Sequence, residues 1–233
     1  MLIGIIGAMD VEVQALKELM DNASVEKISS VDFFKGKISG VDTVVATAGV
    51  GKVNAAVCVQ TMILKYAPEY IINIGVAGGL SPELGIGDIA VAEKVVEHDM
   101  DTTPIGDPMG YITGINTVYI PCDKKLSEMM YSAAENVDGV KAVYGTIASG
   151  DQFIASAEQR TRIIENFDAI AAEMEGASIG HVCMMNNVKF GVLRAISDGA
   201  NSDSKIDFPT FTRLAAKNSI KIILELLDKL SAE

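Results

Sequence analysis

Glu173 and Glu175 close the segment Asp168 to Gly176, DAIAAEMEG, in which small apolar residues run straight into acid. An apolar run suited to the inside of a sheet cannot carry ionised side chains at its middle cheaply, so the pair must sit where the strand emerges. Emerging strand ends are where α/β proteins bind ligands. The pattern recurs: Phe190 to Asp198 (FGVLRAISD) stays largely apolar until Ser197 and Asp198, and the N-terminal LIGIIGAM is followed by Asp10 and Glu12. Strand-like runs that finish in acid point to one pocket gathering carboxyl groups from distant parts of the chain, the equipment for moving protons onto and off a small molecule. Position alone gives Glu12 a plainer reading, because an acid in the first turn of a helix is favoured by the helix dipole. Glu173 and Glu175 share a face only if the backbone is extended there, and diverge if a helix has begun.

The elements that must position these acids follow from hydrophobic period and turn residues. Residues 2–8 read as a buried strand, and Ala8 to Met20, apolar at Val11, Ala15, Leu16 and Leu19, as an amphipathic helix. Phe33 to Ile38 and Val41 to Ala48 form a hairpin pair about Ser39-Gly40, and a helix from Lys52 to Tyr66 is closed by Ala67-Pro68. Tyr70 to Ile74 is a strand leading into a loop, Gly75 to Gly79, whose glycines let backbone amides approach a ligand. Asp88 to Val96 and Val143 to Ser149 are strands, and Lys124 to Asn136, Ala157 to Phe167 and Gly176 to Asn187 are helices. Gly150 to Ile154 is a turn that presents Phe153, and Pro209 to Leu230 is an amphipathic helix covering the sheet. Residues 99–116, rich in Gly, Pro, Asp and Thr, form a long loop of the kind that is functional or packs on a partner chain. Strands and helices alternating throughout imply an α/β fold with a mixed or parallel sheet and helices on both sides.

Bulk properties narrow the function. With 233 residues, no linker and no repeat, the chain reads as a single domain, 1–233. A net charge of −12 argues against nucleic acid, which needs a basic face. No apolar stretch approaches the roughly 20 residues of a membrane span, and MLIGIIGAM lacks the basic start of a signal peptide. Cys58, Cys122 and Cys183 are far apart and odd in number, so a reducing cytoplasm is the expected location. His98, Asp99 and Asp101 look metal-like, but with His181 the sole other histidine no metal and no cofactor is expected. Gly49-Val50-Gly51-Lys52 fails as a phosphate loop, having Ala46 where glycine and Val53 where Ser or Thr is needed, and reads as a tight strand-to-helix turn.

Taken together, IGIIGAMDVEV, AGVGKVNAA, INIGVAGGL, GDIAVAE, HDMD, SGDQFI, AAEMEGASIGHVC and RAISDGAN span almost the whole chain and resemble the 5′-methylthioadenosine/S-adenosylhomocysteine nucleosidases of the nucleoside phosphorylase superfamily. The resemblance implies a three-layer αβα sandwich about a central mixed, partly barrel-like sheet, and a homodimer in which the 99–116 loop contributes to the neighbouring site. It implies hydrolysis of the N-glycosidic bond of methylthioadenosine and S-adenosylhomocysteine, extending to 5′-deoxyadenosine, with release of adenine. Carried across by motif, Glu12 is the base that activates water and Asp198, beside Ser197, the acid that protonates adenine N7. Glu175 holds the ribose hydroxyls, Met174 packs on the sugar and Gly78 lines the floor. Phe153 stacks on the base and the backbone of Ile154 reads its edge. Met9, Val50 and Phe208 give apolar contacts, and residues near Thr102 to Ile105 reach the alkylthio tail across the dimer.

Protonating the purine turns a poor leaving group into a neutral one, and water must then reach the oxocarbenium-like sugar from the other face with a base behind it. Acid and base with room for water between them suit a single displacement. Glu173 reads as a structural carboxylate. Val76 stands where the family often has serine and the related phosphorylases bind phosphate through a hydroxyl, and of Arg160, Arg162, Arg194 and Arg213 none lies in the N-terminal glycine loops, so hydrolysis is favoured over phosphorolysis. Thr102 and Ile105 depart from larger or more apolar residues and bear on tail preference. The rivals are a phosphate-dependent purine nucleoside phosphorylase, a deoxyadenosine or futalosine nucleosidase, and a non-catalytic nucleoside sensor on the same fold.

Overall fold

The computed structural model describes residues 1–198 and 208–231, with the side chains at 208–212, 214 and 215 outside that description. Leu2–Gly7 (β1) leads into Asp10–Glu18 (α1), and Asp21–Ile28 (β2), Val31–Ile38 (β3) and Val41–Thr47 (β4) follow as a meander. Lys52–Tyr66 (α2) is stopped by Ala67 in the left-handed conformation (φ 49°) ahead of Pro68. Next come Tyr70–Gly79 (β5), Ile89–Glu97 (β6), Tyr119–Pro121 (β7), Lys124–Glu135 (α3) and Ala142–Ser149 (β8). Ala157–Phe167 (α4), Ala169–Glu173 (β9), Gly176–Met185 (α5), Lys189–Asp198 (β10) and Phe208–Ser231 (α6) complete the described chain. Asp123 and Ser156 set the starts of α3 and α4 by accepting the N–H of Leu126 and Gln159 at 2.9 and 3.2 Å.

All the described strands belong to one mixed sheet, and β5 is its centre. Its first half pairs in parallel with β1, which passes the sheet outward through β4 and β3 to the edge strand β2. Along its length it also pairs in parallel with β10, and at its end, through Gly78 and Gly79, antiparallel with β9. Since β10 pairs with β6, β6 with β8 and β8 with β9, the five strands β5, β10, β6, β8 and β9 close into a ring. This is the barrel-like portion expected from the resemblance.

Side-chain alternation assigns the layers. On β1, Ile3 and Ile5 enter a core with α1, α3 and α6, whereas Ile6 enters the opposite core with α2 and α5. Ile222, Ile223, Leu226 and Leu227 of α6 are fully buried, each worth about 1.5–3 kcal/mol of transfer free energy. Helices thus cover both faces, the three-layer arrangement.

The structure corrects the expected elements in three places, one of them the short strand β7, which pairs antiparallel with β6 and was not expected. β5 does not stop at Ile74 but continues through the glycines to Gly79, because β10 pairs with it along that stretch. β2, which the sequence pattern does not announce, exposes every residue before Ile28 and is held by its ladder to β3 and by Lys65 and Tyr66 of α2, which reach Glu26 at 2.7 and 3.3 Å. The 99–116 segment is largely irregular, with a 3-10 turn at Thr103–Ile105 and a bridge between Ile112 and Thr117. No helix among the described residues is long and apolar enough to cross a membrane.

Candidate active site

A cavity of about 240 Å³ opens where β1, β5, β9 and β10 end, and acids from all three sequence runs, Glu12, Glu173, Glu175 and Asp198, line it, whereas Asp10 turns away to Lys17 and Thr47. Glu12 lies in the first turn of α1, and its carboxylate folds back toward the helix start. Its Oε2 accepts the N–H of Ala8 at 2.7 Å and of Met9 at 2.8 Å, and its Oε1 accepts the Val76 N–H from β5 at 3.0 Å. The helix-start reading of Glu12 and the pocket reading therefore describe one arrangement. Burial raises its pKa, opposed by the Arg194 charge and by these N–H groups.

At the end of β10 the ladder slips between Ile196 and Asp198, which brings Asp198 level with Gly78. Ser197 Oγ donates to Asp198 Oδ1 at 2.9 Å, and Asp198 is buried. The glycines of β5 make room for acid. A Cβ at Gly75 would lie 2.7 Å from Glu12 Oε1, and one at Gly78 3.2 Å from Asp198 Oδ2. One strand thus keeps both carboxylates against its backbone.

Glu173 and Glu175, leaving β9, have separate fates. Glu173 accepts the Ser149 hydroxyl, the Glu175 N–H at 3.1 Å, the Gly176 N–H at 3.0 and 2.8 Å, and the Arg194 guanidinium. Its carboxylate is occupied by the protein, as a structural group. Glu175 precedes α5 and accepts the Gly51 N–H at 2.9 Å, with Arg194 3.8 Å away. Burial, then the charge of Glu173, pushes its pKa up to about 7, against the pull of Arg194 and Gly51.

Arg194 is the residue that sequence reasoning missed. It is 1% exposed in the middle of β10 and donates to Glu173, to Asn73 Oδ1 and to the Leu193 carbonyl. The signal was present: a cation inside an apolar strand needs a buried anion, and Glu173 was the acid without a task. Gln152 also lines the cavity and was not foreseen as a site residue.

Met9, Val50, Gly78, Phe153, Ile154, Met174, Glu175, Ser197 and Asp198 all line this one cavity with Glu12. Phe153 stands at its mouth, 60% exposed. The Phe208 side chain falls outside the described residues. Thr102 and Ile105 do not line this cavity, and Ile105 is 81% exposed. Among the described lining residues there is no lysine or arginine, so the cavity suits a neutral ligand better than an anion. Nor, among the described residues, does any group of three or more His, Cys, Asp or Glu stand where it could hold a metal ion. His98, Asp99 and Asp101 instead line a neighbouring cavity of about 200 Å³.

The phosphorylase superfamily pattern matches residues 2–228. A 5′-methylthioadenosine/S-adenosylhomocysteine nucleosidase from Shewanella halifaxensis is 42% identical over 231 residues, covering 99% of this chain and all of that protein. Among solved structures, the nucleosidase of the same name from Neisseria meningitidis, in complex with methylthio-immucillin-A, superposes with a TM-score of 0.93 at 34% identity, covering 98% of this chain and 99% of that one. The one from Colwellia psychrerythraea, in complex with adenine, gives a TM-score of 0.93 at 34% identity, with 99% and 96% covered. The chain belongs to the 5′-methylthioadenosine/S-adenosylhomocysteine nucleosidases of the phosphorylase superfamily. It is a purine nucleosidase, and the fold expected from the family resemblance is the one observed. As a member of this nucleosidase family, it stands in a superfamily named for phosphorolysis, yet the described wall of its cavity offers no cationic side chain to an attacking phosphate.

Proposed function

We propose that the protein, acting as one domain over residues 1–233, cleaves the N-glycosidic bond of 5′-methylthioadenosine and S-adenosylhomocysteine, and of 5′-deoxyadenosine, with water as the acceptor. Asp198 gives a proton to adenine N7, so that the base leaves neutral; the Ser197 hydroxyl orients its carboxyl. Glu12 takes a proton from the attacking water. Three backbone N–H groups occupy three of the roughly four lone-pair directions of its carboxylate and leave room on Oε1 for that water. Burial strengthens Glu12 as a base. Glu175 keeps acceptor capacity beyond the Gly51 N–H for the vicinal ribose hydroxyls. Met174 and Gly78 contact the sugar, Phe153 stacks on the base, Ile154 reads its edge, and Met9 and Val50 give apolar contacts.

The observation that carries the reading is the convergence of Glu12 and Asp198, from opposite ends of the chain, on one cavity whose described wall has no cation. Acid and base from separate elements support a single displacement without a covalent ribosyl intermediate. Incubation with methylthioadenosine in phosphate-free, EDTA-treated buffer is expected to release adenine at an undiminished rate. A strict requirement for phosphate would instead make the protein a phosphorylase, and a trapped sugar ester on either carboxylate would overturn the single displacement.

The proposal includes a cytoplasmic homodimer whose 99–116 loop reaches the partner's cavity. In support, Val53, Val57 and Leu64 leave one side of α2 exposed and apolar, and Ile105 projects from that loop. Sedimentation of the protein at micromolar concentration should give twice the chain mass.

A further inference from the structure

We propose that Asp151 is a positioning residue that fixes the base-stacking segment 152–154 relative to the ribose-binding carboxylate of Glu175, acting through the turn at Gly51 and Lys52. The proposal rests on the nucleosidase reading for which end of the cavity takes base and which takes sugar. Asp151 is not among the residues lining the cavity, while Gln152, Phe153 and Ile154 directly after it are.

The turn before α2 presents successive amides to acids from different elements. Gly51, at φ +98°, donates its N–H to Glu175 Oε1 at 2.9 Å, and Lys52 donates its N–H to Asp151 Oδ1 at 2.8 Å. Only glycine reaches that backbone angle readily, and a Cβ there would meet Asp151 Oδ1 at 3.0 Å. Asp151 is fixed in turn, because its own N–H donates to Asp99 Oδ2 at 2.9 Å and Asp99 Oδ1 takes the Lys52 ammonium at 2.7 Å. Lys52, Asp99 and Asp151 thereby close a ring of hydrogen bonds and an ion pair. Glu97 anchors the ring to β6 by accepting Lys52 Nζ at 3.1 Å, and Ser178 Oγ anchors it to α5 by donating to the Lys52 carbonyl at 2.8 Å.

The consequence is geometric. Glu175 and the segment carrying Phe153 are each tied to one peptide of the same turn, so the separation between the sugar's holder and the base's platform is set by two consecutive residues. Stretching a nucleoside between misaligned halves costs rate steeply, since a displacement of about 1 Å at a reacting centre can cost on the order of a hundredfold. A ligand that occupies one half alone does not sense the separation.

The test compares the intact nucleoside with its halves. Wild-type protein is first shown to release adenine from methylthioadenosine; absence of release overturns the nucleosidase reading and this proposal with it. Asp151→Ala is then expected to lower kcat/KM for methylthioadenosine about tenfold or more while the inhibition constants of free adenine and of free 5-methylthioribose stay within about twofold of wild type. Asp151→Asn, whose amide oxygen still accepts the Lys52 N–H, should return kcat/KM to within about threefold. Asp99→Asn, with one amide oxygen for two donors, should fall between them. Asp151→Ala turning over methylthioadenosine within twofold of wild type overturns the proposal. So does adenine binding weakened as much as kcat/KM, which would make Asp151 part of the base pocket's scaffold.

Discussion

Two acid-bearing regions meet at the cavity. On its floor stands Glu173, paired with Arg194 buried behind it; on its wall, Glu12, Glu175 and Asp198 stand at the ends of elements. The floor carboxylate is saturated by protein donors, a hydroxyl, two backbone N–H groups and a guanidinium. On the wall each carboxylate has fewer donors among the described residues: Asp198 has the Ser197 hydroxyl, Glu175 the Gly51 N–H. A saturated acid stabilises the fold and an unsaturated one is available to a substrate. The difference is decided by neighbours, since Glu173 and Glu175 are two residues apart in one strand exit.

Substitutions that keep shape and change hydrogen-bonding capacity test this contrast. The largest expected effect is on the wall. Asp198→Asn preserves size and the bond from Ser197, but an amide cannot supply the proton the leaving base needs. A loss of roughly 10²–10⁴ in kcat with an unchanged thermal midpoint is expected, measured by adenine release and calorimetry. Turnover near wild type would remove Asp198 as the acid.

On the floor the same kind of change should unfold the protein instead. Arg194→Met leaves Glu173 charged and buried without its cation, which typically costs about 3–5 kcal/mol, readable as a lower denaturant midpoint. Adding Glu173→Gln removes the stranded charge and should recover part of that loss, a coupling that a double-mutant cycle measures. Independent, additive effects would break the distinction drawn between floor and wall. Gly75→Ala probes the boundary between them: its Cβ would intrude on Glu12 Oε1 at 2.7 Å, so a loss of about tenfold in kcat is expected with little change in stability.

The wall was legible in the sequence because its acids interrupt apolar runs at strand ends, where periodicity and charge give the same message. The closed ring was not readable from local pattern, since whether β10 returns to pair with β5 is a matter of long-range register; the motif resemblance supplied it. The glycines Gly75 to Gly79 misled, because glycine signals a loop when read locally. Here it marks a strand whose backbone must pass against two carboxylates. Arg194 was overlooked for the opposite reason: one charged letter in FGVLRAISD reads as an interruption of a buried strand, when its burial demanded an ionic partner.

The smallest effect sharpens the contrast most, because it separates an acid the protein has left unsatisfied from one it has neutralised. Glu175 has a pKa near 7, above its ordinary 4.5, so between those values the folded protein holds more proton than the unfolded chain. Stability contributed by that extra proton is fully present below about pH 4.5 and is lost as pH rises through about 7. On the proposed reading catalysis needs the opposite state, since an ionised Glu175 has the fuller acceptor capacity for the two ribose hydroxyls. On the acid side kcat/KM should therefore fall with an apparent pKa near 7, while the ligand-free protein gains unfolding free energy on the order of 1–3 kcal/mol over the same change, seen as a higher thermal midpoint. Glu175→Gln cannot titrate, so its midpoint should lack this component when both proteins are melted at intervals from pH 5 to 8, and its kcat/KM should lose the acid limb near 7. Parallel midpoint curves for the two proteins would mean that Glu175 is as satisfied as Glu173, and the division between floor and wall would not hold.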